Sequence, residues 1–445
     1  MKKRIALLLS AALLAGIFSA CGQDPGAQES PSPSTPPQSS GQPGTEPTQD
    51  SIYAPYQGTE LVFLRHSGYE ADWMTEKAEE FYQLSGIRVT VEQIAYSEMK
   101  NKILLDISST GGAYDMIATT EYWLSEFSEG GWLADMNPLM NNPALADGAF
   151  ALSDIGQSTL DANTINGQLL AMPWKFNGQL LAYRTDLIDK PPATWEEYLD
   201  MARQFTTDGM VGVSLALSPN SIMDVYLNLL YQAGGTFLAE DNKTCNLDSP
   251  QAKEALEFLI QLSACTSSGA TNNQWPESAA VFSQGGAAMY PTISSQISNL
   301  VDPEASAVSD SVGYAELPGG VGCLSTWGVA ITANCEHPEA AWLFIQYMLS
   351  PEKTEELVIG TAGADIPVRS SLLLSDALIE AYPHYAVMNA ITQSEGHTWT
   401  YPKTTSTTAV MEALAIHVQN AILGAETVDQ ALGGAKTEIE ALLNG

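Results

Sequence analysis

From Gly58 onward the chain follows one rhythm, a short apolar run and then an amphipathic stretch that stops at Gly. LVFLRHSG (61–68) reads as a buried strand, and DWMTEKAEEFYQLSG (72–86) puts Met74, Ala78, Phe81 and Tyr82 on one helical face. IRVTVEQI (87–94) alternates as a strand, and SEMKNKILLDISSTGG (97–112) is a helix with Ser97 as N-cap and Met99, Ile103 and Ile107 inward. YDMIATT (114–120) and EYWLSEFSEGGW (121–132) continue the pattern. Strands alternating with helices of this length predict an α/β fold with a mainly parallel sheet covered on both faces. The rhythm resumes in LLAYRTDLI (180–188), a strand, and in helices opened by Thr194 with Glu197, by Ser249 and Pro250, by Pro338, and by Thr427 with Gln430. With 445 residues, 45% of them hydrophobic, the chain exceeds the roughly 250 residues at which one core stops growing, so two lobes are expected.

The first 58 residues stand outside that rhythm. Lys2, Lys3 and Arg4 precede an apolar segment from Ile5 to Ala20 that ends in small residues, the pattern of an export signal (1–20). An anchor helix of about 20 apolar residues usually lacks such an ending. FSAC (18–21) resembles the lipobox of bacterial lipoproteins, with Phe18 in place of the usual Leu, which implies that Cys21 is lipidated and holds the chain at a membrane. Residues 21–58, dominated by Pro, Ser, Gly and Gln, have little to bury and are expected to form an extended tether.

Charge and motifs exclude several classes. Without the three basic residues of the signal, 15 Lys and Arg face 52 Asp and Glu, a balance that repels nucleic acid and anionic headgroups. Cys-x-x-Cys and His-x-x-x-His spacings do not occur, so neither a metal nor another cofactor is expected. Cys245 and Cys265 flank a predicted helix whose ends lie about 21 Å apart, too far for a disulfide unless the flanking loop folds right back. Cys323 and Cys335 bracket the strand-like WGVAIT and meet only if the chain reverses there, which the sequence leaves open. A Gly-x-Ser-x-Gly elbow, a Walker loop and a Gly-x-Gly-x-x-Gly after a strand do not occur either.

Four segments in order carry a resemblance over residues 59–445: YDMIATTEYWLSEFSEGGWLADMNPL, INGQLLAMPWKFNGQLLAYRTDLIDKPPATWEEYLDMARQF, VFSQGGAAMYP and TWGVAITANCEHPEAAWLFIQYMLSPE. Together they resemble the extracellular solute-binding proteins of carbohydrate ABC importers. The resemblance implies a two-lobe, type II periplasmic-binding-protein-like fold, with the ligand cleft between lobes joined by crossover strands. Residues 59–174 and 293–326 are expected in one lobe, 175–292 and 327–445 in the other. The apolar runs around Met172 and Leu180 become crossing segments with MPWKFNG at the hinge, and the chain recrosses near Tyr290–Thr292 and Trp327.

A pyranose offers apolar C–H faces and a rim of hydroxyls, so its site needs flat rings and polar side chains in one cleft. By the resemblance, Trp327 enters the last crossover, Trp174 or Phe176 faces ligand from the first hinge, and Trp399 and Tyr401 form a cleft-facing loop. Glu121 and Tyr122 follow the YDMIATT strand, at the carboxyl end where open α/β sheets bind ligands. Arg65 and His66 end the first strand, and Asp365 in GADIPVRSS is a rim candidate. Core packing for Trp327 and a helix cap for Glu121 and Tyr122 are the alternatives. Many relatives carry a Trp about six residues after the Ala-Met of the second hinge, where this chain reads AMYPTISSQ with Ser294 and Ser295; either Tyr290 substitutes for that platform or the ligand differs from the linear glucans.

The expectation is a monomeric, lipid-tethered receptor that passes a mono- or oligosaccharide to permease subunits driven by a separate ATPase. Two other classes remain: a secreted carbohydrate hydrolase or lyase, which needs only two suitably spaced carboxylates, and a receptor for a polyamine or peptide. A polyamine demands several cleft carboxylates, whereas most candidates here are aromatic.

Overall fold

Leu61, Phe63 and Leu64 are enclosed in the strand Glu60–His66 (β1), because β1 lies between two parallel neighbours, Arg88–Ile94 (β2) and Met116–Thr120 (β3). The helices Tyr69–Ser85 and Tyr96–Ile107 make the crossovers and turn the predicted Met74, Ala78 and Phe81, and Met99, Ile103 and Ile107, inward. The second begins two residues early, so Ser97 lies in its first turn and Ala95 at the cap. The structure is a computed structural model and describes residues 51–445 apart from Thr110 and Glu395. The expected export signal, Cys21 and the tether to residue 50 lie outside the described residues. Tyr53, expected in the tether, packs edge-on against Phe81 at 5.6 Å, so the folded body begins before residue 58.

The remaining main strands are Met172–Arg184 (β4), Val211–Val213 (β5), Ala287–Ile293 (β6), Val312–Ala315 (β7) and Gly322–Ile331 (β8). The order across the sheet is β2-β1-β3-β8-β4-β6-β5, with β7 also on β4. Each outer end is parallel, but β8 runs antiparallel to β3 and β4, and β4 antiparallel to β6. The sheet is therefore mixed where a mainly parallel one was expected, because the strands passing between the two halves run against those they join.

β4 replaces the expected pair of runs and hinge loop with one strand of 13 residues. Its Met172, Trp174, Phe176 and Leu180 pack in a first core and Leu181 in a second. β8 does the same, with Val329, Ala330 and Ile331 in the first core and Cys323 in the second. The ladder between them breaks once: Trp327 faces Lys175 and Gly328 faces Pro173, which leaves Trp174 as the extra residue of a bulge.

Packing also divides the chain differently from the expected boundaries. The helix Pro338–Met348, placed by expectation in the second lobe, buries side chains all round and joins the first core, where Phe344 meets Phe81 at 5.3 Å. That core continues to Ile391, while Leu300 and Val308, expected with the first lobe, pack with Phe282 and Tyr290 in a third cluster beside the second core. A helix with no polar face needs full enclosure, and packing against β8 and the Tyr69–Ser85 helix helps to supply it.

The predicted caps form at Ser249, whose Oγ accepts from the Ala252 amide, and at Thr427 with Gln430, a reciprocal box. At Thr194 the hydroxyl accepts from the Glu197 amide, but the Glu197 carboxylate reaches back to the Ala193 amide instead of closing the box. Cys245, Cys265, Cys323 and Cys335 are all free thiols. β8 occupies the segment between the last two and keeps their ends about 30 Å apart.

Candidate functional site

The carboxyl ends of β1 and β3 and the bulge of β4 and β8 converge on Trp327. Its indole lies 4.9 Å from His66, 6.1 Å from Tyr96, and 6.2 Å from both Trp123 and Trp174, centroid to centroid. Tyr96 and Tyr122 approach through their hydroxyls at 3.2 Å, and the Tyr122 ring lies 4.6 Å from Tyr401 of the other half. A continuous seam of rings thus runs from one core to the other, and its Trp327 and Trp174 are buried. Lys100 Nζ to Thr408 Oγ1 at 2.6 Å and Lys403 Nζ to the Asp161 carbonyl at 3.0 Å link the halves beside it.

Around Trp327 polar groups are buried without protein partners: His66 Nδ1, Thr120 Oγ1, Glu121 Oε1, Trp174 Nε1 and Asp365 Oδ2. Such orphans are uncommon in a settled core. Glu121 uses its other oxygen to accept from Thr326, from the amide at 2.7 Å and the hydroxyl at 3.1 Å. Burial pushes the Glu121 carboxyl up to about 7. On the far side, Asp224 accepts from the Tyr401 hydroxyl and is likewise raised by burial to about 7.

Below Trp174 lies a buried charge quartet. Glu70 accepts from Arg65 at 2.9 Å and from Lys175, and Lys175 also donates to Asp365 at 2.6 Å. Burial works against every member. Even so, the charges of Lys175 and then Arg65 hold Glu70 well below its usual range, and those of Asp365 and Glu70 raise Lys175. For Asp365, burial and then the Glu70 charge prevail and bring it to about 6. His66 is lowered to about 4 by burial and by Arg65 beside it, so its ring is neutral.

Three members of the quartet, Arg65, Glu70 and Asp365, help to line a cavity of about 570 Å³. Arg65, His66, Glu70 and Asp365 stand on the first-core side, and Ser295, Ser298, Asn299 and Asp302 oppose them. Ser295 is the position where the sequence lacks the Trp of relatives. Its small side chain leaves this space open.

The structure brings Trp327, Trp174, Glu121, Tyr122, Tyr401, Arg65, His66 and Asp365 to this seam and cavity. Phe176 is one step along β4, paired with Thr326 and Ile366. Tyr290 is not a substitute platform: it faces the third cluster, its hydroxyl donating to the Trp275 carbonyl at 2.8 Å, because β6 turns that side away from β8. Trp399 stacks on Tyr231 at 5.3 Å and its Nε1 donates to Asn228, since pairing of its backbone with Cys323 draws it into the second core. It reaches the seam only through Tyr401. Sequence reading missed Glu70, Tyr96, Thr120, Lys175 and Asp224. Lys175 carried a signal, because a lone ammonium inside the apolar MPWKFNG needs a buried counter-charge.

The pH dependence of Glu121 is a direct test. Its folded-state value lies above the ordinary 4.5, so the folded chain keeps a proton that the unfolded chain has lost, and stability falls as pH rises from about 4.5 to about 7. E121Q removes this component, worth about 3 kcal/mol over that window. Urea midpoints of both proteins at about pH 4.5 and about pH 7.5 are expected to show the variant gaining on wild type as pH rises. A constant difference between them refutes the assignment.

Two lobes sharing a mixed sheet, with a seam and cavity where they meet, are the architecture of a solute-binding protein. The family of bacterial extracellular solute-binding proteins matches residues 67–355, and the chain belongs to it. A probable amino-acid ABC transporter periplasmic-binding protein of Sinorhizobium fredii is 22% identical, over 88% of this chain and 91% of the relative. The mannitol-binding protein of Pseudomonas aeruginosa is 26% identical, over 64% and 67%. An ABC transporter solute-binding protein from Agrobacterium radiobacter K84, solved in complex with ribitol, superposes with a TM-score of 0.76 at 24% identity, covering 87% of this chain and 99% of that one. Among the described residues, no helix is long and apolar enough to cross a membrane, and no group of three or more His, Cys, Asp and Glu could hold a metal ion.

Proposed function

We propose that the protein captures a sugar or polyol in the groove between its two cores and delivers it to the permease of an ABC importer served by a separate ATPase. The observation that carries this reading is the set of unpartnered polar atoms on His66, Thr120, Glu121, Trp174 and Asp365, gathered around the rings at Trp327. A ligand with hydroxyls on its rim and C–H bonds on its faces matches both classes of group at once. The mannitol-binding relative and the ribitol-bound neighbour support the same ligand chemistry. In this reading the first 50 residues supply export, lipid attachment at Cys21 and a tether, and the two cores act as the lobes that close on the ligand.

Ligand capture stabilises the folded state in proportion to its affinity. In a thermal-shift panel of monosaccharides, oligosaccharides, alditols, amino acids and polyamines, the stabilising members are expected among the sugars and alditols. At about 100 times Kd the gain is about 2.7 kcal/mol. Stabilisation by amino acids or polyamines alone rejects the proposal. Release of reducing ends from oligosaccharides favours a hydrolase instead.

A further inference from the structure

The quartet beside the cavity limits the charge that a ligand can carry. Each cation is already committed: Arg65 donates to Glu70, to the His66 carbonyl at 3.0 Å and toward Met74 Sδ, and Lys175 lies between Glu70 and Asp365. Two cations and two carboxylates balance, so the wall presents no unpaired positive charge to an acid or a phosphate. An added anion would meet Glu70, Asp365 and Asp302 and find no free cation. Such an anion gives up its hydration without gaining a free positive partner.

Two atoms on this wall retain hydrogen-bonding capacity. Asp365 Oδ2 has no partner and, as a carboxylate oxygen, only accepts. His66 Nε2 lies 3.3 Å from Arg65 NH2, which only donates, so Nε2 is the acceptor and the ring proton sits on the unpartnered Nδ1. The wall thus offers one acceptor and one donor. Across the cavity stand the short polar side chains Ser295, Ser298 and Asn299.

We propose that this cavity selects uncharged polyhydroxy ligands against their acidic and phosphorylated counterparts, with Asp365 Oδ2 accepting from a ligand hydroxyl and His66 Nδ1 donating to one. The inference rests on the receptor reading given above and narrows it to one charge class. A hydroxyl both donates and accepts, so neighbouring hydroxyls satisfy both atoms without bringing a charge.

The test is a calorimetric titration of the full chain with matched sets that share a carbon skeleton: D-glucose with D-glucuronate and D-glucose 6-phosphate, and D-mannitol and ribitol with D-mannonate and D-ribonate. Neutral members are expected to bind at least tenfold tighter than every charged counterpart. D365N, which converts one carboxylate oxygen into a donor, is expected to lose at least tenfold toward the best neutral ligand. The unliganded melting temperature of D365N shows whether the variant folds, and S298A probes the opposite wall with no change of charge. A charged member that binds tenfold tighter than its neutral partner overturns this inference and leaves the receptor standing. If no sugar or alditol of any charge binds, both fall together.

Discussion

Replacing Lys175 with Met is expected to destabilise the protein by about 3–5 kcal/mol, the cost of leaving buried charge without its partner. Lys175 contacts both Glu70 and Asp365, so the variant leaves Asp365 with no cation in contact and Glu70 with Arg65 alone. The loss is expected to grow as pH rises. Asp365 already titrates near 6 beside the ammonium, and without it the carboxyl holds its proton more tightly still. Denaturation midpoints at about pH 5 and about pH 8 measure the effect. A variant as stable as wild type at both values shows that the quartet is not a coupled unit.

Trp327→Ala carries the second large effect. The indole touches His66, Tyr96, Trp123 and Trp174, and removing it from a closed environment costs about 3–5 kcal/mol in lost burial and cavity formation. The same change opens the seam beside Glu121 and Thr120, so affinity for the ligand is expected to fall at least tenfold. Trp327→Phe separates the two roles: it keeps an apolar ring in the core but shortens the platform. Stability close to wild type with weakened binding marks Trp327 as part of the ligand surface. Unchanged binding in a folded Ala variant removes it from the site.

What the sequence made legible was what neighbouring residues decide among themselves. The helices opened by Ser249 and by Thr427 follow from caps and periodicity within a few residues, and both form as read. The carboxyl ends of β1 and β3 were equally accessible, because a buried strand leading into a helix marks its own end, and Arg65, His66, Glu121 and Tyr122 lie there. β4 was harder. Pro173 and its bulky neighbours look like a bend, yet pairing with β8 makes them strand, and the missing amide of Pro173 falls beside the bulge where the ladder is already interrupted. The quartet lay beyond reach, since Lys175 meets partners 105 and 190 residues away. No local pattern announces such a meeting. The resemblance treated Trp399 and Tyr401 as one loop, but it could not foresee that Trp399 is held by Tyr231 and Asn228 while Tyr401 packs on Tyr122.

The unbroken course of β4 changes what kind of joint this molecule has. Two hydrogen-bonded ribbons, β4 and β8, connect the halves, and a ribbon resists swinging freely about one or two backbone bonds. Separation of the halves must flex both ribbons together, most easily where their rungs are already out of step. That weak point carries Trp174 and Trp327. The two indoles of the seam are thus mounted on the flexure itself, so any change in how they pack is felt directly by the part that bends.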